Sequence, residues 1–384
     1  MMAGLRIGID GEALRAPLSG IGQYVLQLGR GLEELLPDAS FFAYSRLPPR
    51  RLVLPSPRWT LRVEPSHALR RLPSFVWLKT RGARLCRRDG LDVFWAGRTL
   101  HPRLGPAVRT VSTVHDLNHL IVPETMELPT RWSHRLWLRG DIKHADVVVA
   151  NSLGTAQRLV NLLGIAVHGV VTPGLHPRYC PLDEADRPAA RVALLRLGIE
   201  PPYLLSVATL EPRKNVAALV QAFLELRRRD ELPECSLVLA GARGWRDERL
   251  MSRLRNARGD GVILPGYVPD ALMPALYGFA EALVCPSIYE GFGMPVLEAR
   301  ACGTRVVVSD TPELREAGGA HAVLIQPTVS GIRSGLQRAM TLAPQIEPGL
   351  AERHSWRHQA QLLAALMTSR TAPLRFASAL DAPR

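Results

Sequence analysis

The stretch "PSIYEGFGMPVLEARACGTRVVVSD", residues 286–310, places a carboxylate, a glycine-flanked turn, a proline and a second carboxylate between two apolar runs. The runs, "EALVCPS" before and "TRVVVSD" after, have the length and side chains of buried strands. Pro295 suits the first turn of a helix, where its missing N–H is not needed and its φ is already helical. Gly291 and Gly293 leave the main chain bare, so a ligand can approach it closely. Strand, glycine turn, helix and strand form one unit of a parallel sheet, and ligands of such sheets bind beyond the carboxyl ends of the strands. Glu290 ends the strand and its loop, and Glu298 falls in the first helical turn. The two acids therefore point at two places along one elongated ligand. Carboxylates accept hydrogen bonds from hydroxyls, and vicinal hydroxyls are what a sugar or a ribose offers. Glu298 also fits dipole complementation at a helix start, and Glu290 a solvated loop acid. Neither alternative accounts for the glycines.

The same grammar runs outward through the chain. "LRIGID" (5–10) reads as a buried strand followed by a glycine-rich loop, and "VLQLGRGLEELL" has helical periodicity. Strands follow at "FFAYS", "LDVFWA", "VRTVSTVHD" and "ADVVVANS", with helical stretches such as 154–164 between them. Pro, Gly and charge cluster in "GVVTPGLHPRYCPLDEADRP", which reads as a linker. The pattern then restarts with the strand "YLLSVAT", a helix over 215–229 capped by Asn215, the strands "SLVLAG" and "GVILPGYVP", and a helix opening at Asp270. Alternating strands and helices with β-branched strands imply α/β architecture with parallel sheets covered on both faces. The expected arrangement is two Rossmann-like, doubly wound domains, 1–178 and 179–354. Residues 355–384 add a helix crossing back to the first half and then a tail, with 370–384 disordered. Two such domains facing each other would line a cleft with both sets of strand ends.

Two cations, Arg213 and Lys214, stand in a short loop before a helix N-terminus in "SVATLEPRKNVAALV". That terminus already carries free N–H groups and partial positive charge, so cations belong there only when an anion joins them. The reading is a diphosphate site, with Arg213 making forked bonds and Lys214 acting as a point charge. A solvated basic loop is the alternative.

Composition narrows the classes. The chain has 384 residues, 47% of them hydrophobic, enough for two cores. Its five cysteines are widely spaced without C-x-x-C, which argues against a disulfide framework or zinc site and for a reducing compartment. No apolar run reaches the ~18 residues of a membrane span, and "MMAGLRIGIDGE" does not read as a signal peptide. The net charge of +13 suggests an anionic partner. Only Lys79, Lys143 and Lys214 are lysines, so the charge is nearly all arginine, as a GC-rich genome would also give.

Taken in order, "GIDGEALRAPLSGIGQY", "STVHDL", "VVVANS", "VTPGLHPRY", "ATLEPRKN", "GYVPDALMPALYGFAEALVCPS" and "YEGFGMPVLEA" resemble the retaining nucleotide-sugar glycosyltransferases of family 4 over nearly the whole chain. That family has the GT-B fold, and the likeness is to bacterial mannosyltransferase-type members that build lipopolysaccharide or exopolysaccharide. The resemblance implies that Arg213 and Lys214 hold the donor diphosphate, Glu290 the transferred sugar and Glu298 the ribose. It places the main chain of Phe292, Gly293 and Met294 against sugar or phosphate, and that of Gly266, Tyr267 and Val268 against the base. Gly20 and Gly22 match a glycine loop facing donor phosphate and acceptor, and His115 a histidine near the transferred sugar. Asp10 and Asp116 are expected at the acceptor. Trp95 departs from the pattern, since many relatives carry His after "DVF".

The chemistry implied is transfer of a hexose, mannose from GDP-mannose by likeness, to a hydroxyl with retention at the anomeric carbon. Fixed donors aimed at the growing diphosphate charge contribute roughly 3 kcal/mol each. No cofactor is expected, and no metal, since there is no Asp-x-Asp signal. The departing phosphate itself accepts the proton in the family view. Glu290 and Glu298 are not a glycosidase pair flanking the bond.

The acceptor, a glycan or lipid-linked hydroxyl, should lie on residues 1–170. There "LRRLPSFVWLKTRGARLCRR" (69–88) and "RWSHRLWLR" (131–139) alternate basic residues with Phe75, Trp77, Trp132 and Trp137. Such a face suits an anionic membrane surface, and equally a helix with core aromatics and solvated arginines. The expected location is cytoplasmic, peripheral on the inner face of the bacterial cytoplasmic membrane if these stretches bind it. Nucleic acid is disfavoured, because no helix-turn-helix, RRM or zinc pattern occurs. A dinucleotide oxidoreductase would need G-x-G-x-x-G on the first turn, which "SGIGQY" does not supply. A synthase with a soluble acceptor and a non-catalytic nucleotide-sugar binding protein are the remaining alternatives. The intact set Arg213, Lys214, Glu290 and Glu298 argues against the binder.

Overall fold

The computed structural model describes residues 4–126, 128–232, 234–242, 257–369 and 372–374. The chain divides into two compact units, Met1–Gly174 with His354–Arg384, and Leu175–Arg353.

The first unit is built on seven parallel strands: β1 Arg6–Asp10, β2 Ser40–Ser45, β3 Thr60–Val63, β4 Val93–Ala96, β5 Arg109–Val114, β6 Val147–Ala150 and β7 Gly169–Val170. Their order is β3-β2-β1-β4-β5-β6-β7. The central strands are buried on both faces, which is why "VVVA" and "VFWA" show no polar alternation. On one face the helix Gly20–Leu35 sets Val25, Leu28 and Leu32 against Ile7, Ile9, Val111 and Val149. Ser19 caps that helix by accepting from the Gly22 N–H at 3.1 Å. Gly22 is required for space, since a Cβ there would lie 2.7 Å from the Ala13 carbonyl oxygen.

The helix Trp356–Thr368 packs Ala360, Leu363, Leu366 and Met367 into the same core. Its Gln359 side chain accepts from the Thr172 N–H at 2.9 Å. The close approach to the Gly20–Leu35 helix depends on small residues, because a Cβ on Gly31 would fall 2.5 Å from that of Ala360. The 370–384 tail lies outside the described residues apart from 372–374.

The second unit has six parallel strands: β8 Tyr203–Val207, β9 Ser236–Ala240, β10 Val262–Gly266, β11 Ala282–Cys285, β12 Val306–Ser309 and β13 Val323–Ile325. The order β10-β9-β8-β11-β12-β13 places β11 directly beside β8, with Leu204 opposite Ala282. Leu175, Tyr179 and Leu182 of the proline-rich connector already pack in this unit's core.

Three local expectations change. Asn215 does not cap its helix through its side chain. It adopts φ +56°, a left-handed conformation Asn tolerates, and its amide donates to the carbonyls of Pro286 and Pro327 at 3.2 and 2.8 Å. The helix after Asp270 begins at Met273. Glu298 lies in the second turn of the helix Met294–Ala301, not the first, which weakens dipole complementation as its reason for being there.

If the Gly31–Ala360 crossing is a tight fit, Gly31→Ala should destabilise the protein by about 1–3 kcal/mol. Ala360→Gly in the same chain should recover part of that loss, as a pair in contact is non-additive. Thermal unfolding of the single and double variants measures both effects.

Candidate functional site

Because β8 and β11 are neighbours, the loops that follow them emerge side by side at the carboxyl edge, where the strand order reverses. The loop after β8 makes one 3-10 turn, Pro212–Lys214, and the Ile288 N–H of the other loop bonds to the Arg213 carbonyl at 2.8 Å. Glu290 is buried between them. Arg213 Nη1 donates to Glu290 Oε2 at 2.7 Å and to the Tyr289 carbonyl at 3.2 Å. Lys214 Nζ donates to Glu290 Oε1 at 2.5 Å, and Ser287 Oγ to the same oxygen at 2.7 Å. Arg213 Nη2 also pairs with Glu211 at 2.8 Å. Burial alone would raise the Glu290 pKa, but Lys214 and Arg213 hold it down at about 2. The sequence reading assigned the two cations and the acid to different parts of a ligand, whereas the structure joins them in one cluster. A carboxylate offers about four lone-pair positions, and three bonds are made, so Glu290 keeps room for roughly one more donor.

The glycine turn follows at once. Gly293 has φ +111°, and a Cβ there would meet Leu314 at 2.8 Å, so glycine is needed for conformation and space together. Phe292 is buried in the core, Met294 packs against it, and Pro295 occupies the first helical turn as expected. Glu298 Oε2 accepts from the Tyr277 hydroxyl at 2.7 Å. Burial pushes the Glu298 pKa up to about 7, against the pull of hydrogen bonds from Tyr277 and Tyr179. One sheet therefore carries two carboxylates in opposite electrostatic states, set by their neighbours.

Gly266 ends β10 with φ +77°, Tyr267 is 71% exposed, and Val268 is core. The Tyr267 hydroxyl bonds to Asp270 at 3.1 Å. Of the three residues expected to read a base, Gly266 and Val268 can offer only main chain, and Tyr267 alone has an exposed side chain.

The first unit holds a cavity of about 450 Å³ whose lining includes Asp10, Arg98, His115, Asp116, Asn118 and His134. Asp10 ends β1, Arg98 follows β4 and His115 follows β5, three adjacent strands. Asp10 accepts from the Glu12 N–H at 3.0 Å and pairs with Arg98 at 3.3 Å. Burial raises its pKa to about 6, with Arg98 opposing. His115 Nε2 donates to the Gly97 carbonyl at 2.7 Å, so that nitrogen carries the proton. Burial lowers the His115 pKa, leaving a neutral ring set edge-on to Tyr24 at 5.0 Å. Asp116 accepts from the Asn118 N–H and side-chain amide at 3.1 and 2.9 Å. Gly20 and Gly22 open the helix Gly20–Leu35, and Gly20 has open space where a Cβ would be.

Sequence reasoning missed Arg98, Asn118, His134, Glu211, Ser287, Tyr179 and Tyr277. Asn118 and Ser287 stand two and three positions from predicted site acids, a spacing at which short polar side chains bond locally. Glu211 stands two positions before Arg213, within the motif itself. Arg98, His134, Tyr179 and Tyr277 are distant in sequence and carry no local signal. At Trp77 the core alternative holds: it is fully buried with its indole N–H on Glu64, and Trp95, the residue that departs from the family's His, is fully buried with its indole N–H on Thr113. Both are core residues because each indole finds an interior acceptor. Phe75 and Trp137 pack on each other at 4.7 Å, and Trp132 is exposed.

The sequence profile described as Glycosyltransferase Family 4 matches residues 18–174, and that described as Glycosyl transferases group 1 matches residues 195–360. O-antigen chain mannosyltransferase B of Escherichia coli is 31% identical over 342 residues, covering 82% of this chain and 85% of that protein. D-inositol 3-phosphate glycosyltransferase of Rhodococcus erythropolis is 29% identical over 275 residues, covering 66% of this chain and 60% of that one. The solved structure of sucrose-phosphate synthase from Thermosynechococcus elongatus shares the fold, with a TM-score of 0.76 at 22% identity over 94% of this chain and 98% of that one. With two family profiles, a relative at 31% identity and a shared fold agreeing along the chain, this protein belongs to the family 4 glycosyltransferases of GT-B fold and is a transferase enzyme.

Proposed function

We propose that this glycosyltransferase moves a hexose, mannose in the first instance, from a nucleoside-diphosphate sugar to a hydroxyl of a glycan or lipid-linked acceptor in cell-surface polysaccharide synthesis, with retention. The observation that carries the reading is the Arg213–Glu290–Lys214 cluster beside the Gly291–Met294 turn. The E. coli O-antigen relative supports mannose and a growing glycan as donor sugar and acceptor. The inositol phosphate relative favours a second reading, a soluble phosphorylated acceptor.

In this reading the diphosphate lies against Lys214, Arg213 and the main chain entering the Met294–Ala301 helix. Two cations and the acids Glu211 and Glu290 balance formally. Stabilisation of the leaving group then comes from aimed N–H donors rather than from net charge. Glu290 locks both cations in position and accepts one hydroxyl of the sugar. Lys214 and Arg213 meet the charge that grows as the glycosidic bond breaks, the part a metal would otherwise play. Asp10 and Asp116 orient the acceptor, and His115, its pKa lowered by burial, stands by the transferred sugar. Glu298 takes the ribose hydroxyls.

The membrane reading gains support from one exposed run. Leu128, Trp132 and Leu136 are 55, 57 and 61% exposed, with Arg135 and Arg139 exposed beside them. Apolar anchors flanked by cations suit an anionic lipid surface. No helix among the described residues is long and apolar enough to cross a membrane.

Four outcomes are expected. In excess chelator, wild-type enzyme should release nucleoside diphosphate in the presence of GDP-mannose and a mannan acceptor, and proton NMR should show the donor's anomeric configuration retained. Arg213→Ala with Lys214→Ala should cut kcat/KM by about 10³-fold or more; intact turnover in the double variant would overturn the assignment. Nucleotide affinity should rise about fivefold from about pH 6 to about pH 8, because the Glu298 carboxylate accepts ribose hydroxyls better than its acid form. Calorimetric titration should show that rise flattened in Glu298→Gln. Finally, Leu128→Ser with Trp132→Ser and Leu136→Ser should abolish sedimentation with phosphatidylglycerol vesicles, and high salt should weaken wild-type binding.

A further inference from the structure

The first unit's cavity holds polar atoms that the proposed transfer does not use. Asn118 Oδ1, His134 Nδ1 and His119 Nδ1 are buried without a hydrogen-bond partner. They are close together, with the two histidine rings edge-on at 5.7 Å and Asn118 beside His119 in the chain. Buried polar groups of folded proteins are nearly always paired, and each one left unmade costs about 1–3 kcal/mol. Two of them, on Asn118 and His134, belong to the cavity's own lining, while His119 stands behind them against the His134 ring, and the two on the wall point to a ligand that supplies the missing bonds.

The chemistry of the wall says what kind. The Asn118 amide nitrogen is turned to Asp116, because the flipped side chain would set two acceptors face to face. Its oxygen therefore needs a donor. Asp10 and Asp116 are acceptors as well, and Arg98 is already engaged by Asp10. His119 is held neutral, burial first and then His134 lowering its pKa to about 4. Burial also lowers His134, against Asp116. The lining thus offers two carboxylates against one paired guanidinium. A phosphate ester presents acceptor oxygens and negative charge, so it meets repulsion and leaves Asn118 Oδ1 unsatisfied. A hydroxyl both donates and accepts. Phe75, Leu78 and Leu100 add the apolar wall that the C–H face of a pyranose needs. The volume of about 450 Å³ falls within the range of small-molecule sites.

We propose that this cavity is the subsite for the acceptor's terminal sugar ring, that the ring is uncharged, and that Asn118 and His134 select it against phosphorylated acceptors. The inference rests on the transfer reading above and decides between its two acceptor classes.

The test uses the full chain and two probes, methyl α-mannopyranoside and mannose phosphate, titrated by ligand-detected NMR with GDP binding measured alongside. The neutral glycoside should bind at least about tenfold more tightly than the phosphate ester. Asn118→Ala and His134→Ala should each weaken the glycoside about fivefold while GDP affinity stays unchanged, and His134→Gln should retain most of the affinity. Equal or tighter binding of mannose phosphate overturns the proposal without any variant. Undiminished glycoside binding in both alanine variants overturns the roles of Asn118 and His134. Absence of GDP binding in the wild type would instead count against the transfer reading, and the glycoside titration would still report on this cavity.

Discussion

A carboxylate buried at Glu290 is tolerated only because two cations reach it. Removing one partner of a buried ion pair leaves an uncompensated charge that costs about 3–5 kcal/mol. The cluster therefore constrains two loops through residues 77 positions apart, Arg213 and Glu290. Ser287, the Tyr289 carbonyl and the Ile288–Arg213 main-chain bond tighten the same junction. The result is a set of N–H donors whose direction is settled before any ligand arrives. Preorganisation of this kind is worth more to a transferase than net charge, since no reorganisation is needed as the leaving group departs.

The sheet makes that junction available. In a parallel sheet every strand runs the same way, so the loops after the strands gather at one edge. In the second unit the order reverses between β8 and β11, and the Glu290 cluster bridges that point. In the first unit β1, β4 and β5 deliver Asp10, Arg98 and His115 to one cavity in the same manner. The two ends differ in character. The second unit presents cations held by acids, and the first presents acids and neutral histidines. On the proposed reading, the second unit would take a phosphate-bearing donor and the first a hydroxyl-bearing acceptor.

Much of this was legible before any coordinates. The Gly291–Pro295 turn announced a strand-to-helix corner because a proline in the first turn and bare glycines have few other uses together. Asp10, His115 and Asp116 were named through the family resemblance, and they line one cavity. Asn215 misled, because an Asn before a helix normally caps it, whereas here its amide ties two distant prolines' carbonyls. Trp77 was left open between a membrane face and the core, and what decides it is Glu64, inside, receiving its indole N–H.

Sequence alone determined the α/β alternation, the two-unit organisation and the identity of the charged groups, because side-chain periodicity and turn chemistry are local properties of the chain. Tertiary structure alone decided that Arg213, Lys214 and Glu290 neutralise one another, that Glu298 is pushed towards protonation among Tyr277 and Tyr179, and that Arg98, Asn118 and His134 share a wall. Those facts depend on strand order and burial. Desolvation and Coulomb energy act through space, between residues whose separation along the chain says nothing of their separation in the fold.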